Sequence, residues 1–179
     1  MTDIPKVNEQ SAEKLKEIVD DNARKFTLET MDPRVFDTSS VSTFLMTTHW
    51  LETGEDNERK IVHKKFDSGE VQILLISKIT KDGKRTSEKE VISEEKYAEL
   101  LGASVRHLVK MRSEFKYIQD DVTFDVKYDE FSDSSLRVLE VDASNEEARN
   151  SFDPSKFPSE LSEVTGDMRY YGYRVAGII

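Results

Sequence analysis

The chain contains no cysteine, so disulfide scaffolds, zinc–thiolate centres, iron–sulfur clusters and thiol nucleophiles are excluded. Its three histidines, His49, His63 and His107, stand in no H-x-x-H or H-E-x-x-H spacing, which argues against a histidine-built metal site. Hard ions bound through carboxylates stay open. Nowhere do about 18 apolar residues run together, and Met1 to Gln10 has no basic segment leading into an apolar stretch, so neither a membrane span nor a secretion signal is expected. The chain reads as soluble and cytoplasmic. Positive charge is short as well: 26 Lys and Arg face 36 Asp and Glu, a formal net charge of −10. That balance argues against duplex nucleic acid as a partner, because neutralising phosphates takes a clustered excess of Lys and Arg. A local basic pocket is compatible with it. Internal repeats and low-complexity tracts are also missing.

What is present suits one domain over residues 1–179, a length that can bury a real core. Ser11 followed by Leu15, Ile18 and Val19 predicts a short capped amphipathic helix, so residues 1–24 are expected to be a helical extension. Beyond it the pattern turns to strands. Val41–Leu51, Lys60–Phe66, Val71–Ile79, Thr86–Ile92, Leu108–Ile118, Thr123–Tyr128 and Leu136–Val141 carry β-branched and aromatic residues, with Asp67-Ser68-Gly69 and Asp82-Gly83 as turns. Ser93 is expected to cap a helix through Leu101 that Gly102 closes, and Ser144–Arg149 reads as a helical turn. Phe152 to Pro158 is a loop with aromatic anchors, and Tyr170, Tyr171 and Tyr173 are expected to pack one end of the fold. The sum is a β-rich α+β domain.

Successive strand side chains point to opposite faces, so charges two residues apart share a face. Glu88 and Glu90, Lys110 and Arg112, Asp125, Lys127 and Asp129, and Glu140 and Asp142 are spaced in this way, while Lys78 ends an otherwise apolar strand. One solvated sheet face would produce the same pattern. Carboxylate pairs at neighbouring positions repel unless cations lie between them, which suits divalent ions bound through oxygen. Basic pairs suit phosphate oxygens. Acid and base on one concave face together describe a site for a metal-chelated polyphosphate.

From about Lys60 onward the chain resembles the CYTH domains, the triphosphate tunnel metalloenzymes that include thiamine triphosphatases, inorganic triphosphatases and class IV adenylyl cyclases. The pieces stand in the family's order: KIVHKKFDSG, ILLISK, Glu88 and Glu90 before SEEKYAELL, Lys110 and Arg112, FDVKYDEF, LRVLEVD, and EVTGDMRYYGYRVA. The family's first strand, E-x-E-x-K, is degenerate: Asp21, Ala23 and Lys25 occupy that pattern, and the central glutamate is missing. Either Asp125 or Asp129 matches the family's aspartate, and any of Lys60, His63, Lys64 and Lys65 can be matched to its basic strand.

The resemblance implies an antiparallel, tunnel-like barrel flanked by helices. It implies Mg²⁺ or Mn²⁺ held by Glu88, Glu90, Asp125, Glu140 and Asp142, a triphosphate clamped by Lys25, Lys64, Lys78, Lys110 and Arg112, and catalytic roles for Glu88 and Glu90. The expected function is metal-dependent binding, and hydrolysis, of inorganic, nucleoside or thiamine triphosphate. With the first-strand glutamate lost, binding is favoured over turnover. A non-catalytic nucleotide or polyphosphate module and an acidic interaction domain are the alternatives. Glu88, Glu90, Lys110, Arg112, Glu140 and Asp142 are all expected to face one cavity. Arg112→Ala is expected to weaken triphosphate binding with little loss of stability.

Overall fold

The alternating segments form long strands and the turn signals form tight hairpins in a computed structural model that describes residues 15–17, 23–37, 40–54 and 56–177. Ten strands appear among the described residues. They are β1 (Leu15–Glu17), β2 (Arg24–Thr27), β3 (Ser42–Thr53), β4 (Asn57–Phe66), β5 (Val71–Lys81), β6 (Lys84–Val91), β7 (Arg106–Gln119), β8 (Val122–Phe131), β9 (Arg137–Asp142) and β10 (Ser162–Glu163). They pair antiparallel in the order β1-β6-β5-β4-β3-β7-β8-β9-β2-β10. Three short helices accompany them: α1 (Glu94–Leu101), α2 (Glu146–Asn150) and α3 (Gly172–Ala176).

Local chemistry accounts for the hairpins. Asp82 and Gly83 both take positive φ, 52° and 72°, between β5 and β6, as do Asp120 and Asp121, 50° and 62°, between β7 and β8. Two successive left-handed residues match the twist of the flanking strands, and aspartate tolerates that region better than most side chains. The α1 helix starts where expected, with Lys96 N donating to Ser93 Oγ at 3.2 Å. It ends at Gly102 with φ −61°, so the conformational freedom of that glycine goes unused.

The sheet curls because β1, at one end of the order, and β2, next to last at the other, derive from the same stretch of chain. β1 pairs with β6 and β2 with β9, and a linker of the length between Glu17 and Arg24 spans at most roughly 25 Å. Across the curl, Lys64 on β4 feels the charges of Lys89 on β6 and Lys127 on β8, strands that are not its hydrogen-bonded neighbours. The tunnel-like antiparallel barrel implied by the sequence is therefore the fold observed.

The outer face carries the main core. Phe26, Phe115, Phe124, Val126, Leu139 and Val141 are buried there beneath Val35, Phe152 and Phe157, so the loop with aromatic anchors covers the barrel wall. On the outer face of β3 and β4, α1 lays Tyr97 against His49 and His63, which places these two histidines outside the barrel. The N-terminal expectation needs correction in part: Leu15–Glu17 is a strand, because its backbone completes the edge of β6. The rest of residues 1–22 lies outside the described residues. No helix among the described residues is long and apolar enough to cross a membrane.

Candidate functional site

Directly paired residues in an antiparallel sheet project to the same side, so the register assigns each side chain to a face. Phe44 pairs with Arg112, Met46 with Lys110, Thr48 with Leu108 and Trp50 with Arg106. On the other edge of β3, Met46 pairs with Lys64, Thr48 with Val62 and Trp50 with Lys60. Glu58 shares the face of Lys60 two residues along β4 and pairs with Lys78; a bulge at Leu51, between Trp50 and Glu52, brings Thr53 opposite it on β3. Lys78 pairs with Ser87, Ile76 with Lys89 and Thr80 with Arg85. Through β8 and β9, Arg112 meets Asp129, Glu114 meets Lys127, Lys127 meets Glu140, and Asp125 meets Asp142. Glu140 finally meets Lys25. All of these face the barrel interior.

One end of that interior is closed by apolar packing. Trp50, Leu108, Phe131 and Val138 bury against Val175 and Ala176 of α3, and Tyr173 sets its ring edge-on to Trp50 at 5.9 Å. Of the three tyrosines expected at an end of the fold, Tyr173 does so directly. Gly172 sits where a Cβ would come within 3.2 Å of the Trp50 ring, so close helix approach depends on the missing side chain.

Above this plug lies a first charged cluster. Glu58 accepts from Trp50 Nε1 at 3.1 Å and Arg85 Nη2 at 2.8 Å, and Lys60 Nζ approaches it at 2.5 Å. Burial, with Lys78 and Lys110 nearby, lowers the Lys60 ammonium to about 8 in spite of Glu58. A lysine this depressed marks cations crowded together away from water. Ser87, 5% exposed, shares this face. Its Oγ is buried and has no hydrogen-bond partner among the described residues.

A second cluster centres on Asp129, which is 1% exposed. It accepts from Lys110 Nζ, Arg112 Nε and Arg112 Nη2, each at 2.6 Å. Burial opposes its charge, but Arg112 and Lys110 more than reverse that and hold the carboxyl below its usual range. Glu140 lies 3.8 Å from Lys25 and 3.8 Å from Arg112. Burial pushes its pKa up, and Arg112, Lys25, Lys110 and Lys127 together drive it well below the carboxylate range. Lys25 also stands 4.6 Å over the Tyr171 ring. Toward the mouth, Asp125 pairs with Lys116, and Asp142 accepts from Arg149 at 3.2 Å and from the Ala143 amide at 2.8 Å.

Of the expected site residues, Lys25, Lys64, Lys78, Lys110, Arg112, Asp125, Glu140 and Asp142 share the interior face. Glu88 and Glu90 do not. They pair with Ser77 and Leu75, the alternate residues of β5, and so project outside the barrel. The spacing argument fails there because it shows that two residues share a face without showing which face. The interior positions of β6 are held instead by Arg85, Ser87 and Lys89, so the catalytic and metal roles implied for Glu88 and Glu90 have no geometric basis. Glu58, Arg85, Ser87 and Lys89 also stand in the interior and were not singled out from sequence, and Lys127, grouped by its spacing with Asp125 and Asp129, joins them. The alternation Glu58, Lys60, Val62, Lys64 was the available signal for β4, and the register with β3 shows which of the four basic candidates face inward: Lys60 and Lys64, while His63 and Lys65 face out.

Whether these residues suit Mg²⁺ or Mn²⁺ depends on the donors. Such ions need several oxygen ligands converging on one point. No group of three His, Asp or Glu among the described residues could hold a metal ion, and Glu58, Asp129, Glu140, Asp125 and Asp142 are each engaged by a Lys or Arg. The described residues do not form a divalent-cation site.

The barrel has known counterparts among solved structures. The inorganic triphosphatase NE1496 superposes with a TM-score of 0.57 at 21% identity, covering 86% of this chain and 92% of that one. A second structure of NE1496 gives 0.56 at 22% identity, with 86% and 95% covered. PH1819 from Pyrococcus horikoshii OT3 gives 0.48 at 18% identity over 72% of this chain and 82% of that one. No family model and no curated protein sequence matches the chain. The likeness is one of fold, and the fold is CYTH-like.

Proposed function

We propose that the barrel interior binds a triphosphate-containing small molecule, with Lys25, Lys60, Lys64, Lys78, Lys110 and Arg112 directed at its phosphate oxygens. One observation carries this reading: in a chain of net charge −10, the interior face gathers more cations than carboxylates, among them a Lys60 that burial, helped by Lys78 and Lys110, lowers to about 8. Folding does not concentrate like charge in a buried space without cost. An anion that neutralises the cluster offsets the cost and turns it into affinity. NE1496, which shares the fold, is an inorganic triphosphatase, and that supports the same ligand class.

Arg112 forms the fork suited to two phosphate oxygens, and Asp129 fixes the orientation of that fork. Lys110 and the lysines of β4 and β5 supply point charges that follow the anion. With Glu88 and Glu90 outside, the interior carboxylates serve as counter-ions that hold cations in place, so the chemistry best supported is binding.

Tripolyphosphate should therefore raise the melting temperature, because a ligand bound only by the folded state stabilises it, by roughly 2.7 kcal/mol at a hundred times its Kd. No shift with tripolyphosphate, ATP or thiamine triphosphate would refute the reading. Hydrolysis at the same site is the second reading, favoured by the inorganic triphosphatase activity of NE1496. A phosphate-release panel over tripolyphosphate, thiamine triphosphate, ATP and GTP distinguishes the two.

A further inference from the structure

Lys60, Lys110 and Arg112 stand on the interior face beside Glu58 and Asp129, and Ser87 Oγ is a buried hydroxyl on that face without a partner among the described residues. The carboxylates there have opposite duties. Glu58 is taken by Lys60, Arg85 and Trp50, Asp129 by Lys110 and Arg112, and Glu140 by Lys25 and Arg112. A metal-chelated polyphosphate presents its cation to carboxylates. A metal-free polyphosphate presents only oxygens, which ask for N–H and O–H donors.

We infer that this chain recognises the metal-free polyphosphate anion, with Ser87 Oγ and the Lys60, Lys78 and Lys110 ammonium groups as donors at the deep end of the tunnel. The inference rests on the polyphosphate-binding reading above and departs from the metal dependence that the resemblance implied. The depressed ammonium of Lys60 agrees with it, since an added dication would face the same crowd of positive charge.

Ser87 makes the inference specific. A hydroxyl that lost its hydrogen bonds to water on folding and found no protein partner is a net cost to the folded state. Its register partner across the β5–β6 ladder is Lys78, so the hydroxyl and an ammonium stand side by side on the interior wall. A phosphate oxygen there accepts from the hydroxyl, with the ammonium beside it as a further positive charge.

The test is a calorimetric titration of tripolyphosphate into the full chain, in phosphate-free buffer, once with EDTA and once with excess Mg²⁺. Binding in EDTA at least as tight as in Mg²⁺ is expected, with Mg²⁺ weakening it because chelation removes the charge the lysines recognise. Binding only with Mg²⁺ or Mn²⁺, or roughly tenfold tighter with them, would overturn the inference and leave the binding reading intact. No binding in either buffer would overturn both. Ser87→Ala should weaken binding in EDTA by roughly tenfold while leaving the melting temperature of the free protein unchanged or raised. A variant with unaltered affinity would remove Ser87 from the site.

Discussion

Replacing Lys60 with methionine should make the protein more stable and a poorer polyphosphate binder. Burial, with Lys78 beside it, lowers the ammonium from the usual lysine value of 10.5 to about 8, and its side chain is 16% exposed. A tenfold change in proton affinity corresponds to about 1.4 kcal/mol, so charging Lys60 in the fold costs on the order of 3 kcal/mol relative to the unfolded chain. Methionine keeps most of the volume and carries no charge. Glu58 then loses one cation but retains Arg85 and the Trp50 indole, which returns part of the gain. A net stabilisation of about 1–2 kcal/mol at pH 7 is expected.

The pH dependence is diagnostic. Because the folded pKa lies below the unfolded one, the penalty is fully present below pH 8, where both states hold the proton. It declines as pH rises, since the unfolded state then binds more protons, and it is gone above about 10.5. Urea unfolding of the parent and Lys60→Met from pH 7 to 10, in phosphate-free buffer, should show the parent gaining on the variant by about 2 kcal/mol at pH 9.5. A variant that is less stable at pH 7, with a gap that does not change with pH, would refute the idea of crowded cations.

The remaining expectations are briefer. Arg112→Ala should lower stability by about 3 kcal/mol as well as tripolyphosphate affinity, as read by urea unfolding and calorimetry. The sequence-based expectation of little stability loss gives way because Arg112 makes two of the bonds to Asp129, which is 1% exposed. The double variant Glu88→Gln, Glu90→Gln should leave affinity unchanged within about twofold, since both carboxylates face outward; a tenfold loss would restore them to the site. Glu140→Gln should remove stability that is present above pH 4.5 and lost as the pH falls, because the folded carboxyl titrates below the unfolded one. Melting curves of parent and variant should accordingly converge in acid.

The strands were legible because their cores alternate: β4, β5, β7 and β8 coincide with expected segments and extend beyond them, and Asp82-Gly83 turns as its composition requires. The barrel itself followed from the order of motifs rather than from periodicity, which carries no information on closure. Face assignment was the weak point. Lys110, Arg112, Glu140 and Asp142 could be placed together because Phe115, Val126 and Val141 mark the opposite side as core. β6 offers no such marker, since Lys84–Val91 is polar on both faces, and only the register with β5 shows that Ser87 and Lys89 face inward. That Glu58 shares a face with Lys60 was readable from their spacing on β4, but its bond to the Trp50 indole crosses to β3 beside the bulge at Leu51, which no alternation pattern reveals. Asp129 sits beside Tyr128 and near Phe131, buried on opposite faces, so hydrophobic pattern alone could not choose between it and Asp125.

The most direct test of the central claim is a crystal structure of the full chain grown with saturating tripolyphosphate in EDTA. The account predicts the anion inside the barrel, within hydrogen-bonding distance of Lys60, Lys110 and Ser87, with no metal beside it. An interior empty of phosphate at saturation, or an anion bound only on the outer face near Glu88 and Glu90, would contradict it.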